Sequence, residues 1–339
     1  MSSNLSNCEI LNLILEGKNL DDKNARLLMQ RWLNNEIPDV QTGAFLSALR
    51  AKGCTGVELS SMADELLNVC ELPVVRPNLH MVDTCGTGGD GANTFNISTA
   101  VAFVAASCGV KIAKHGNKSV SSKSGSADML ENIGYKFSDD PKIIEDQLNR
   151  NNFCFMFAQY HHSAMKHVIN VRKTLGTRTI FNLLGPLTNP ANAINQLLGV
   201  YDKKWLNTHC EVLKELGSNN VMVVHGVDGL DEITLSQNTH ICELKDQTIH
   251  NYILDPREIG YDYISLEEIK GGDPQYNAKC FLKMIDGNFD QFQNIVELNA
   301  GAAIYLAGKC SNIKEGAIIA NKTISEGKTK EFIRKITNE

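Results

Sequence analysis

The strongest constraint on the fold is a change of pattern near residue 75. Before it, EILNLILEG, ARLLMQRWLNN, VQTGAFLSALRAKG and GVELSSMADELLNVC all repeat apolar residues at helical spacing, with no strand candidate between them. After ELPVVRPN, short apolar runs alternate with helices: HMVDTCG, ISTAVAFVAASCG, VKIAKHG, SGSADMLENIGY. That alternation predicts β-α-β units on a parallel sheet. Further strands are expected at FCFMFA, INQLLGVY and NNVMVVHG, and TLSQNTHICELKDQTIHNYIL predicts an antiparallel excursion before a helical C-terminal part. The expected fold class is therefore α/β: a small all-helical domain over residues 1–75, and a larger α/β domain over 76–339 with a mainly parallel central sheet. The stretch SAMKHVINVRKTLGTRTIFNLLGP again reads as helices, so residues from about 163 to 190 are expected to pack back onto the N-terminal helices.

Composition narrows the class of partner. The apolar fraction of 42% fills a substantial core, and 33 basic against 39 acidic residues give a net charge of −6. Without a general cationic field, nucleic acid is disfavoured. The ten cysteines are dispersed and none forms a C-x-x-C pair, which predicts reduced, mostly buried thiols and a cytoplasmic setting. No apolar run approaches the roughly 20 residues of a membrane helix, so no membrane partner is expected. The N-terminus is polar, then amphipathic, without a signal-peptide profile.

The stretch DTCGTGGDGANTFNIST, residues 83–99, satisfies G-x-G-x-x-G. In a dinucleotide fold the helix begins inside the glycines and an acidic residue follows about 20 positions on. Here ANTFN intervenes before the first strong helix start at Ser98 and Thr99, and the next strand ends on Lys114, His115, Gly116, Asn117 and Lys118. Both features argue against NAD and leave NADP, with its 2′-phosphate on the lysines, as the dinucleotide reading that fits. No G-x-x-x-x-G-K-[ST] occurs either. What remains is a long loop of backbone N–H groups followed by hydroxyls at a helix start, suited to several phosphates. Asp90 inside such a cradle points to a sugar hydroxyl or a Mg²⁺ ion as its partner. A glycine run that merely permits a tight turn is the competing reading.

Two more stretches follow strands. KHGNKSVSSKSGSAD, residues 114–128, gathers three lysines, two glycines and a run of serines where ligands of parallel sheets bind. VHGVDGLDEITL, residues 224–235, carries the adjacent carboxylates Asp231 and Glu232, a hard-oxygen pair suited to Mg²⁺.

Together with NVRKTLGTRTIFNLLGPLTNP and the HG-x-DG-x-DE pattern of HGVDGLDE, these stretches resemble the anthranilate phosphoribosyltransferases over nearly the whole chain. The resemblance implies a helical domain through which two subunits pair, an α/β domain, and two Mg²⁺ ions acting with phosphoribosyl pyrophosphate. It assigns Gly86, Gly89, Asp90, Thr94, Asn96, Ile97, Ser98 and Thr99 to phosphoribosyl pyrophosphate. Lys114, His115, Gly116, Asn117, Lys118, Ser119, Val120, Ser121, Ser122 and Ser126 would bind the same substrate. Ser98, Asp231 and Glu232 would hold Mg²⁺. Gly86, Asn117, His162, Arg172, Gly185 and Pro186, with His115 beside them, would form the anthranilate pocket. No general base is implied; Lys114 and Mg²⁺ would stabilise the transition state. The sequence departs from the usual pattern at Cys85 (Val or Ile is common), Lys118 (usually Arg), Val227 (commonly Glu) and Ser163 (often Pro). The alternatives are a pyrimidine nucleoside phosphorylase-like enzyme, a non-catalytic nucleic-acid-binding relative, and, weakest, an NADP enzyme.

Overall fold

Ser6 and Thr55 open the first and fourth of four N-terminal helices with reciprocal caps, in which Glu9 and Glu58 return a carboxylate to the cap backbone. Each cap stabilises its helix by about 1 kcal/mol. These helices are α1 (Asn7–Leu15), α2 (Asp22–Leu33), α3 (Asp39–Lys52) and α4 (Gly56–Asn68). Glu58 is wholly buried, and besides its cap it accepts from Leu20 N and from Lys52 Nζ, both at 2.9 Å. The computed structural model describes residues 4–70, 80–118, 123–288 and 290–337.

The α/β part follows as β1 (Val82–Asp83), α5 (Ile97–Ser107), β2 (Ile112–Gly116), α6 (Ser126–Asn132), α7 (Pro141–Asn151) and β3 (Phe153–Phe157). Next come α8 (Ala158–His161), α9 (Lys166–Leu175), α10 (Ile180–Leu184), β4 (Asn195–Gly199), α11 (Trp205–Glu215), β5 (Asn220–Gly226), β6 (Thr239–Lys245) and β7 (Thr248–Leu254). Helices α12 (Pro256–Ile259), α13 (Pro274–Ile285), α14 (Asp290–Leu306), α15 (Ile313–Ser325) and α16 (Lys328–Thr337) complete the chain. Among the described residues the strands lie in one sheet of order β3-β2-β1-β4-β5-β6-β7. β1 to β5 are parallel, and β6 and β7 are antiparallel, as the sequence predicts.

Because successive strand residues face opposite sides, the sheet feeds cores on both faces, two large ones and a small one around Ala113, Cys154 and Met156. Met222, Val224 and Leu197 join one with α5, α13, α14 and α15, while Val221, Val223 and Leu198 join the other. That second core also contains Leu28, Trp32, Phe45 and Leu59 of the N-terminal helices, and Val168, Val171, Phe181 and Leu184 of α9 and α10. The chain runs outward from β1 to β2 and β3, then crosses back to β4. This places the topological switch between β1 and β4, where parallel sheets bind ligands beyond their C-terminal edge.

Two expectations need correction. Helix α5 starts at Ile97 with Asn96 at its N-cap, not at Ser98 or Thr99. The Asn96 side chain makes no cap bond because it is engaged with Ser124 and Asn277, and the Ser98 N–H is met instead by Glu232 from a distant loop. The thiols are free, but only Cys154, Cys210, Cys242 and Cys280 are buried; Cys8, on α1, is exposed. Among the described residues no helix is long and apolar enough to cross a membrane.

Candidate active site

The loop after β1 enters the left-handed region that favours glycine at three points: Gly88, Gly89 and Gly91 stand at φ +61°, +76° and +82°. It is tied to the end of β4, where Thr87 N donates to Gly199 O at 2.9 Å and Thr87 Oγ1 accepts from Tyr201 N at 3.0 Å. On its far side Gly271 N donates to Asn93 O at 2.8 Å. Gly199 is needed for the loops to meet at all, since a Cβ there would overlap the Asp231 carbonyl.

Beside this loop Lys114, only 2% exposed, points its ammonium at Thr84 O (2.9 Å), Thr84 Oγ1 (3.2 Å) and Ser98 Oγ (3.3 Å). Asp83, fully buried on β1, accepts the His115 N–H at 3.0 Å and so locks β1 to the end of β2. Burial pushes its carboxyl up to about 6, against the pull of nearby Lys114.

The loop after β5 brings the acidic pair to the same place. Glu232 accepts the Ser98 N–H at 3.1 Å, at the positive end of α5. Asp231 N approaches Asp90 Oδ2 at 3.4 Å, so Asp90 joins the pair although 141 residues separate them. Burial raises both carboxyls of the pair well above their usual range, and Asp90 adds to the shift. Two buttresses fix this loop. Asn299 of α14, wholly buried, accepts from Ile233 N at 2.9 Å and donates to Ile233 O at 2.8 Å. Asp228 accepts from Leu230 N, from Thr234 Oγ1 at 2.6 Å and from Ser236 Oγ.

The described residues contain no group of three or more His, Cys, Asp and Glu side chains placed to hold a metal. Mg²⁺ asks for less, taking one or two carboxylates and filling its octahedron with water and substrate phosphates. The donors present suit it: Asp231, Glu232 and Ser98 Oγ are hard oxygens, and three carboxylates crowd there against the ammonium of Lys114.

A second cluster lies along the same edge. His115 Nδ1 lies 3.0 Å from Gly185 O, His162 Nε2 lies 3.0 Å from Thr188 O, and the two rings are 5.3 Å apart. Their remaining nitrogens, His115 Nε2 and His162 Nδ1, are buried without a partner among the described residues. Burial drives His162 down to about 4 and His115 well below its usual value, so both imidazoles are neutral at pH 7. Arg172 on α9 packs its guanidinium 5.3 Å over the Phe181 ring. Among the described residues no carboxylate reaches it, and burial lowers it to about 10.

Other expected residues line the same edge. Gly86 abuts Gly199 and Asp231, and Thr94 bridges to Lys270. Ile97 and Thr99 are buried in the first turn of α5. Gly116 is crowded by Ser126 and Phe155. Asn117 Oδ1 accepts from Lys118 N and Gln159 Nε2, and its carbonyl accepts from Ser126 Oγ at 3.3 Å. Lys118 is exposed and paired with Glu131 at 2.9 Å. Pro186 O accepts from Gln196. Ser119, Val120, Ser121 and Ser122 lie outside the described residues. The sequence patterns include Asp83 and Arg178 without giving either a role, and they pass over Asn277 and Asn299. A buried clamp of that kind has no local pattern to betray it.

The fold has counterparts among known proteins. The glycosyl transferase family matches the chain twice, with its helical bundle domain over residues 9–70 and its a/b domain over 78–330. Anthranilate phosphoribosyltransferase of Prochlorococcus marinus (strain MIT 9215) is 49% identical over 96% of this chain and 95% of its own. The crystal structure of the enzyme of that name from Thermus thermophilus superposes with TM-score 0.88 at 36% identity, covering 97% of this chain and 98% of that one. The Saccharomyces cerevisiae enzyme in complex with PRPP and Mg gives TM-score 0.87 at 27% identity, covering 99% and 98%. The chain belongs to the anthranilate phosphoribosyltransferase family.

Proposed function

We propose that this protein transfers the 5-phosphoribosyl group of phosphoribosyl pyrophosphate to the amino nitrogen of anthranilate. The products would be N-(5-phosphoribosyl)anthranilate and pyrophosphate, the second step of tryptophan synthesis from chorismate. The observation that carries this reading is the meeting of the glycine loop, Lys114 and the Asp231–Glu232 pair at the switch between β1 and β4. The glycine loop, with Thr94, Asn96 and the start of α5, would receive the ribose and pyrophosphate, and the loop from Lys114 to Ser126 its phosphates. Asp231, Glu232 and Ser98 would hold Mg²⁺, which when bound neutralises charge on the pyrophosphate; two ions per subunit is our proposal.

Arg172 would grip the anthranilate carboxylate through paired hydrogen bonds, with Asn117, Gly185 and Pro186 completing the pocket. The neutral imidazoles of His115 and His162 suit an aromatic ring, since an imidazolium there would add an unpaired buried charge. An aromatic amine is already uncharged at pH 7, so its lone pair attacks C1 of the ribose without prior deprotonation as the C1–O bond to pyrophosphate breaks. The acidic anilinium nitrogen so formed gives its proton to water or to the released pyrophosphate. Lys114 would stabilise the charge growing on the leaving pyrophosphate as the ribose gains oxocarbenium character. Much of the remaining acceleration would come from holding two substrates in line.

The phosphorylase reading is not favoured, because phosphorolysis by inorganic phosphate has no use for a carboxylate pair serving a pyrophosphate-bound metal. A net charge of −6 counts against the nucleic-acid-binding one. We further propose that residues 1–75 and about 163–190 form one small domain, supported by their shared core, and 76–339 otherwise the other. Two subunits would pair through this domain, where Leu15, Val40 and Val57 are exposed apolar side chains. Free thiols support a cytoplasmic setting. The test is to mix protein, phosphoribosyl pyrophosphate, Mg²⁺ and anthranilate and follow anthranilate fluorescence; fluorescence that persists refutes the proposal.

A further inference from the structure

We infer that Arg178, which the resemblance leaves without a role, is a positioning residue that sets the polarity of the glycine loop. Its Nη1 donates to Gly89 O at 2.7 Å, and its guanidinium lies 4.1 Å over the Tyr201 ring. From the other side Arg50 of α3 holds the Arg178 carbonyl at 3.1 Å. The side chain is therefore fixed from two places, the loop itself and Tyr201 just past β4, while the helical unit anchors the Arg178 backbone.

The consequence follows from peptide geometry. No peptide in the described chain is cis, so the Gly89 carbonyl and the Asp90 N–H lie in one plane and point in opposite directions. Holding the carbonyl towards Arg178 turns the Asp90 N–H the other way. Among the described residues the N–H groups of Gly89, Asp90 and Gly91 meet no protein acceptor. Such a run of free N–H groups is an anion nest. A flip of the 89–90 peptide would put a carbonyl oxygen there and repel a phosphate. Glycine-rich backbone flips easily, since left- and right-handed conformations cost it nearly the same. Arg178 opposes that flip with a charge-assisted bond.

This inference rests on the reading of the loop as a pyrophosphate site, and its test separates the two. Arg178→Met keeps the length and removes the donor, while Arg178→Lys keeps a cation that can reach one carbonyl. Calorimetric binding of pyrophosphate with Mg²⁺ and steady-state kinetics would be measured for both and for the natural protein. A hydrogen bond to a charged group predicts that Arg178→Met weakens pyrophosphate binding and raises KM for phosphoribosyl pyrophosphate by about tenfold or more. KM for anthranilate should stay within about twofold, and Arg178→Lys should recover part of the loss. Pyrophosphate affinity unchanged in Arg178→Met, or both KM values rising together, overturns the inference while leaving the transferase reading intact. A natural protein that binds neither pyrophosphate nor phosphoribosyl pyrophosphate removes both.

Discussion

Replacing His162 by Gln isolates the energetic consequence of burying a neutral imidazole. In the folded protein His162 is driven from its usual 6.5 down to about 4 by burial, opposed by its contact with Thr188 O. Unfolded chains bind a proton there below about pH 6.5 and the native one does not, so protons favour unfolding and stability falls as pH drops through that window. Linkage with these two values gives a loss of about 2 kcal/mol between pH 7 and pH 5, rising to roughly 3 kcal/mol near pH 4. Other groups, among them Asp83 with its raised carboxyl, titrate with opposite sign, so the stability of the natural protein alone does not report on His162. The difference between the natural protein and His162→Gln does, because the other groups are common to both. Urea unfolding at pH 7, 6 and 5 measures it, and the natural protein's advantage should shrink by about 2 kcal/mol on acidification. A difference that stays constant from pH 7 to 5 would show that His162 titrates normally in the folded state, and the argument that burial keeps this imidazole neutral would fail.

Three further outcomes are expected. Arg172→Ala should raise KM for anthranilate by about thirtyfold or more while KM for phosphoribosyl pyrophosphate changes little, in line with the loss of a charge-assisted pair; steady-state titration of each substrate checks it. Replacing Asp231 by Asn and Glu232 by Gln together should leave the substrate-free protein as stable or more stable, because buried like charge is removed, yet shift the Mg²⁺ requirement upward by about tenfold; an unaltered Mg²⁺ titration would end their assignment. Asn299→Asp keeps the acceptor for Ile233 N but sets a carboxylate against Ile233 O, which should cost about 3 kcal/mol in denaturant unfolding; a cost near zero would mean the clamp is not needed.

How much of this was legible depends on the range of the interaction involved. Helical spacing in EILNLILEG and the short apolar run in NNVMVVHG depend on neighbours a few positions apart, and those elements stand where the pattern places them. The antiparallel β6–β7 pair was equally readable, because two apolar strands joined by a short turn have few other arrangements. The start of α5 was not, since the helix begins at Ile97 after Asn96 and its Ser98 N–H is satisfied by Glu232, 134 residues away. Likewise GTGGDG is legible as a tight glycine loop, but nothing near it in sequence says that Arg178 holds its carbonyl or that Gly199 must lack a side chain to admit the Asp231 backbone.

The sequence by itself determined the alternating architecture, the glycine loop, the basic second loop and the acidic pair, because each is a property of residues within one turn or one strand. Only the tertiary structure decided that Asp90 stands with Asp231 and Glu232, that Lys114 is buried between Thr84 and Ser98, and that two buried histidines from different segments lie side by side. The physical reason is that carboxylate repulsion, desolvation and peptide orientation depend on distance in space, and the order of the strands fixes those distances.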